Sequence, residues 1–116
     1  MSIAPQPEVP KWAYALLNNL YELEKKLKIH GDIGNASRNI TKMKDTLEEL
    51  GFFYEDPMGQ SFKETRTDLE ATIAGSGTED LHVVEVIKPI IRFGKRDLSR
   101  VTQKGIVIIE SKTQEL

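Results

Sequence analysis

The sequence holds no cysteine, a single tryptophan and only two histidines among its 116 residues. Without cysteine there are no disulfides and no thiolate metal sites, which fits a reducing compartment. No apolar run approaches the roughly 18 residues needed to span a membrane. The opening "MSIAPQPEVP" has neither a basic segment nor an apolar one, which argues against a signal peptide and for a cytoplasmic protein. His30 and His82 belong to no H-E-x-x-H pattern, so neither reads as a metal ligand or a catalytic base. Ser61, Ser76, Ser99 and Ser111 lie outside any G-x-S-x-G elbow, and neither "RFGKR" nor "AGSGT" completes a phosphate-binding loop. Glu64, Asp68 and Glu70 are the nearest approach to paired carboxylates. Their alternation with apolar residues reads instead as the solvent side of a strand. The expectation is a protein that is not an enzyme, with no catalytic residue, no metal and no cofactor.

What is present is a chain of ordinary globular composition, 39% hydrophobic and 29% charged, so a folded domain is expected. At this length the core is modest, and dimerisation would add burial. Residues 1–9, with two prolines, read as a flexible leader. Pro10 suits the first turn of a helix, because its fixed φ is already helical and its missing N–H has no partner there. Trp12, Leu16, Leu20, Leu23 and Leu27 then form one helical stripe, widened by Leu17 and Tyr21. Gly31 is the stop. A second helix, capped by Asn35 or Ser37, carries Ile40, Met43, Leu47 and Leu50 and ends at Gly51. Residues 10–51 thus read as an antiparallel helix pair with more apolar face than it can cover alone. Two such pairs make a dimeric four-helix bundle, although packing on a sheet would serve equally.

After Gly51 the hydrophobic period becomes two. "FFYE" reads as a strand, "DPMGQ" as a turn and "TDLEATI" as a half-buried strand with Leu69, Ala71 and Ile73 on one face. "LHVVEVIKPII" and "GIVIIES" are further strands, with Pro89 implying an edge or a bulge. The fold class expected is α+β: a helix pair followed by a small, mostly antiparallel β domain over residues 52–116.

Charge is distributed unevenly. Lys88, Arg92, Lys95, Arg96, Arg100 and Lys104 face one acid, Asp97, within one stretch. Between Asp45 and Glu70, eight acids face Lys63 and Arg66. A basic hairpin over 88–104 suits phosphates, but it has Phe93 as its only aromatic residue, and the isoelectric point is near 5.7. Both features argue against nucleic acid. A solvated cationic turn that discourages edge-to-edge association is a plain alternative. The preferred partner is a protein with an acidic surface, met by apolar contact and charge steering.

Several stretches resemble the GrpE family, nucleotide-exchange factors of DnaK-type chaperones. "LEELG" followed by an aromatic strand is similar to that family's passage from bundle to β domain. "GQSF…DLEATI" resembles G-x-x-F-D-P-x-x-H-E-A-V through Gly59, Phe62, Glu70 and Ala71, with Lys63, Glu64 and Leu69 departing from it. "HVVEVIKPII" is similar to V-x-x-V-x-x-x-G-Y, with Ile90 in place of the glycine. "RVTQKGIVII" matches the closing motif at Arg100, Val107 and Ile109. With nine residues before Pro10, the family's long N-terminal coiled coil is not expected here. The resemblance implies a co-chaperone that binds the nucleotide-binding domain of a DnaK-type chaperone as a homodimer. It implies partner contacts at Ile87, Arg92, Lys95, Arg96 and Arg100. The dimer interface it implies comprises Trp12, Leu16, Leu20, Leu23, Leu27, Ile40, Met43 and Leu47.

Overall fold

The computed structural model describes residues 8–112; most of the expected leader, residues 1–7, lies outside them. Two helices, α1 (Lys11–His30) and α2 (Ser37–Glu49), precede the strands β1 (Phe52–Glu55), β2 (Leu69–Ile73), β3 (Leu81–Lys88), β4 (Ile90–Phe93), β5 (Arg100–Gln103) and β6 (Gly105–Ser111). A single 3-10 turn, Arg96–Leu98, joins β4 to β5. The architecture is α+β, and its pairings are antiparallel except for β2 with β6.

Local chemistry accounts for the helix ends. Pro10 is the N-cap of α1, and Gly31 closes it at φ +90°, its N–H donating to the Leu27 carbonyl at 2.9 Å. The start of α2 differs from expectation. Neither Asn35 nor Ser37 caps it. Instead the Asp32 carboxylate accepts the Ala36 and Ser37 N–H groups at 2.5 and 3.0 Å, because Asn35 takes a left-handed turn (φ 57°) that brings Asp32 under the first turn.

The helix faces also divide differently. α1 buries Ala13, Leu17, Leu20 and Tyr21, the i, i+4, i+7, i+8 pattern of a core-facing stripe. Trp12, Leu16 and Leu23 are left 46–48% exposed. α2 buries Ile40 and Leu47 and leaves Met43 45% exposed. Leu20, Ile40 and Leu47 therefore belong to the core of their own chain, and Leu27 packs partly buried against it. Ala13 is fully buried in that core.

The strands form two three-stranded sheets, β1-β4-β5 and β2-β6-β3. The two arms of the C-terminal stretch, β3 and β6, do pair, but the segment between them is no simple turn. It is a second hairpin, β4–β5, built into the other sheet. Pro89 is neither an edge residue nor a bulge. It sits between β3 and β4 where the chain leaves one sheet for the other, a place where a missing N–H breaks no ladder. The bulges of β3 lie earlier, between Val83 and Glu85 and between Val86 and Lys88. Ile90, Ile91, Val83, Val107 and Ile109 fill the space between sheets and helices in one continuous core. Gly105 is required there, since a Cβ would stand 2.8 Å from a Leu69 methyl and 3.0 Å from Ile90.

Candidate protein-docking interface

The β4–β5 hairpin carries the cationic side chains, and its shape depends on two glycines. Gly94, at φ +124°, donates its N–H to the Gly51 carbonyl at 2.8 Å, tying the hairpin to the end of α2. A side chain at Gly94 would meet the Ser99 and Leu98 backbone at 3.0–3.1 Å, so the loop is tight as well as anchored. Leu98 N–H closes the turn onto the Lys95 carbonyl at 2.8 Å. Leu98 itself projects outward, 85% exposed.

Acidic and basic segments of the sequence meet in this region. Arg92 Nε lies 2.5 Å from Glu55 Oε1 across the β1–β4 pair. Arg96 forms a two-pronged contact with Glu48 at 2.5 and 3.3 Å, and its guanidinium lies over the Phe53 ring at 4.9 Å. Hydrogen bonding to Arg96 holds the Glu48 carboxyl below its usual range and raises the Arg96 guanidinium above its own. Arg100 lies over Phe93, with 5.6 Å from guanidinium carbon to ring centre. Lys95 is exposed at the tip. Three of the four hairpin cations expected to steer a partner, Arg92, Arg96 and Arg100, thus make contacts within the chain. Beside them a groove of about 390 Å³ runs along Glu48, Leu50, Gly51, Gly94 and Lys95. Ile87 is 50% exposed, but it sits on β3, in the other sheet from Arg92 and Arg100. The five expected contacts therefore span both sheets.

A second polar constellation escapes sequence reading. The Tyr21 hydroxyl donates to Asp56 at 3.2 Å, and the Tyr54 hydroxyl donates to Glu24. Lys44 pairs with Glu24 at 3.1 Å and lies over the Tyr54 ring, while Lys25 donates to the Val86 carbonyl at 3.0 Å. Burial, reinforced by the neighbouring Asp56 carboxylate, pushes the Tyr21 phenol far above its ordinary range. These contacts join both helices to β1 and β3. The Tyr21–Lys25 spacing of four was the one local signal for them.

The remaining chemistry-bearing residues do not converge. Arg66 binds Asp68 through two nitrogens, at 2.8 and 3.0 Å, and also reaches Gln60; this holds the Asp68 carboxyl below its usual range and leaves Glu70 exposed and apart. His30 ends α1, and His82 is half-buried on β3, its Nδ1 without a partner among the described residues. No cluster of three potential metal ligands occurs among the described residues, and no described helix is long and apolar enough to cross a membrane. Compared with family models, curated proteins and solved structures, the chain finds no match.

Proposed function

We propose that the chain is a GrpE-like co-chaperone, promoting ADP release from a DnaK-type chaperone by binding its nucleotide-binding domain in the open state. The observation that carries the proposal is the order and exposure of the elements. A helix pair keeps a half-exposed apolar stripe, and a β unit of six short strands follows it and presents Ile87. Trp12, Leu16, Leu23 and Met43 supply the dimer contact, so that two helix pairs close a four-helix bundle. Leu20, Leu27, Ile40 and Leu47 hold each pair to its own β unit. Ile87 gives the apolar contact with the chaperone. Lys95, with Arg92, Arg96 and Arg100, which also make contacts within the chain, sets the approach.

Exchange of this kind needs no catalytic side chain. A protein that binds the open cleft more tightly than the ADP-closed one shifts the equilibrium by that difference in affinity, and ADP leaves. Reciprocity then requires ATP to displace the exchange factor. The test is release of fluorescent ADP from the DnaK-type chaperone of the same organism. Acceleration that saturates with added protein is expected. Folded protein in excess that leaves the rate unchanged would overturn the proposal. The engagement of Arg92 and Arg96 in internal pairs favours a second reading, a dimeric scaffold that binds a protein without exchange. It predicts binding with ADP release unaltered.

A further inference from the structure

Strand β2 ends its sheet with backbone groups turned outward. The Gly105 N–H donates to the Asp68 carbonyl at 2.9 Å, and the Ala74 N–H to the Ile109 carbonyl at 2.8 Å. Alternate residues of a strand address alternate sides, so Asp68, Glu70, Thr72 and Ala74 serve β6. The N–H and C=O groups of Leu69, Ala71 and Ile73 then face the open side, beyond which the sheet has no further strand among the described residues.

Another edge of the molecule is covered. Outside β3, Gly59 and Phe62 donate to the Val83 and Leu81 carbonyls, and Val83 donates to Gln60, at 2.9–3.0 Å. β2 has little of the usual protection: it contains no proline and no lysine, its one charged side chain is Glu70, and its register with β6 runs without a bulge. Its side chains say what would fit. Leu69 and Ala71 face the core, and Ile73 continues that face 50% exposed. The opposite face carries exposed Glu70 beside Ile106, and Thr72 beside Ile108 with Glu85 beyond it.

We propose that the open edge of β2 docks an extended protein segment in which apolar residues alternate with basic ones. Its backbone continues the ladder through Leu69, Ala71 and Ile73. Its apolar side chains lie beside Ala71 and Ile73, and its Lys or Arg side chains lie on the face of Glu70. This surface does not depend on exchange activity, since it involves neither Ile87 nor the β4–β5 hairpin.

The probe is the peptide acetyl-Lys-Val-Lys-Val-Lys-Val-Lys-amide, titrated into the ¹⁵N-labelled full chain. Saturable amide shifts centred on residues 69–73 are expected, with hydrogen exchange at Leu69, Ala71 and Ile73 slowed about tenfold or more. The same peptide with glutamate for lysine should bind at least about fivefold more weakly, and Glu70→Lys should reverse that preference. Ala71→Pro, which removes an outward N–H, should abolish the shifts. If that variant fails to fold, Glu70→Lys alone decides. Equal binding of the two peptides, or shifts centred elsewhere, would overturn the proposal. So would protection of the three amides before any peptide is added, with a doubled mass, because a second copy would then hold the edge.

Discussion

Arg96, on the turn between β4 and β5, holds Glu48 near the end of α2, with Nε 2.5 Å from Oε1. With the Arg92–Glu55 pair, the contact joins the cationic stretch of the sequence to the acidic one, so two of its six basic side chains meet counter-charges inside the fold. Because the pair is largely exposed, its contribution to stability is small, about 0.2–1 kcal/mol by double-mutant cycle with Glu48→Gln and Arg96→Ala. The sharper readout is titration. Arg96→Ala should move the Glu48 carboxyl, followed by NMR, back up toward the ordinary glutamate range. A Glu48 titration unchanged by Arg96→Ala would show that the pair is not held in solution.

The Arg66–Asp68 contact makes a pH prediction. Asp68 has a folded-state pKa below its unfolded one, so the unfolded chain binds more protons as pH falls through the carboxylate range. Its contribution is full above the unfolded value, near about 4, and is lost as pH falls from there through the lowered folded value. Asp68→Asn should therefore cost about 1–2 kcal/mol at pH 7 and much less near about pH 3, measured by urea denaturation. An equal cost at both values would assign the effect to packing rather than charge.

Much of this fold is legible locally. Pro10, Gly31 and Gly51 mark the helix ends through backbone conformation, and the period-two runs mark β1, β2, β3 and β6. The helix stripe misleads because hydrophobicity alone does not rank burial. Ala13 is fully buried for its smallness, while Trp12 and Leu16, one turn apart, stay half exposed. Pro89 was ambiguous because a switch between sheets is a tertiary event. The partners of Arg92, Arg96 and Tyr21 lie 35–48 residues away, beyond any local pattern. Expected docking residues could be named by type, but the charges already paired could not.

Gly105 provides a test of the joint between the sheets. Its Cα lies so close to Leu69 and Ile90 that Gly105→Ala overpacks the core, at an expected cost of about 1–3 kcal/mol in denaturant unfolding. Gly34→Ala is the control, since no atom lies within 4 Å of a Cβ there, and it should change stability by no more than about 0.5 kcal/mol. Equal effects at both positions would contradict the close approach of β6 to β2 and β4.

The two faces of α1 separate folding from assembly. Leu17 is 1% exposed and Leu16 is 48% exposed, although they are neighbours in sequence. Leu17→Ala removes core contacts and should cost about 2–5 kcal/mol of stability. A chain carrying Leu16→Glu and Leu23→Glu keeps that core, so its far-ultraviolet circular dichroism should match the unaltered protein. If the stripe closes a four-helix bundle, the charges break it, because two pairs of carboxylates would be buried without partners. Sedimentation equilibrium should then give a dimer for the unaltered chain and a monomer for the double variant. A monomeric unaltered chain would remove the bundle from the proposed function, and a dimer that survives both substitutions would place its interface elsewhere.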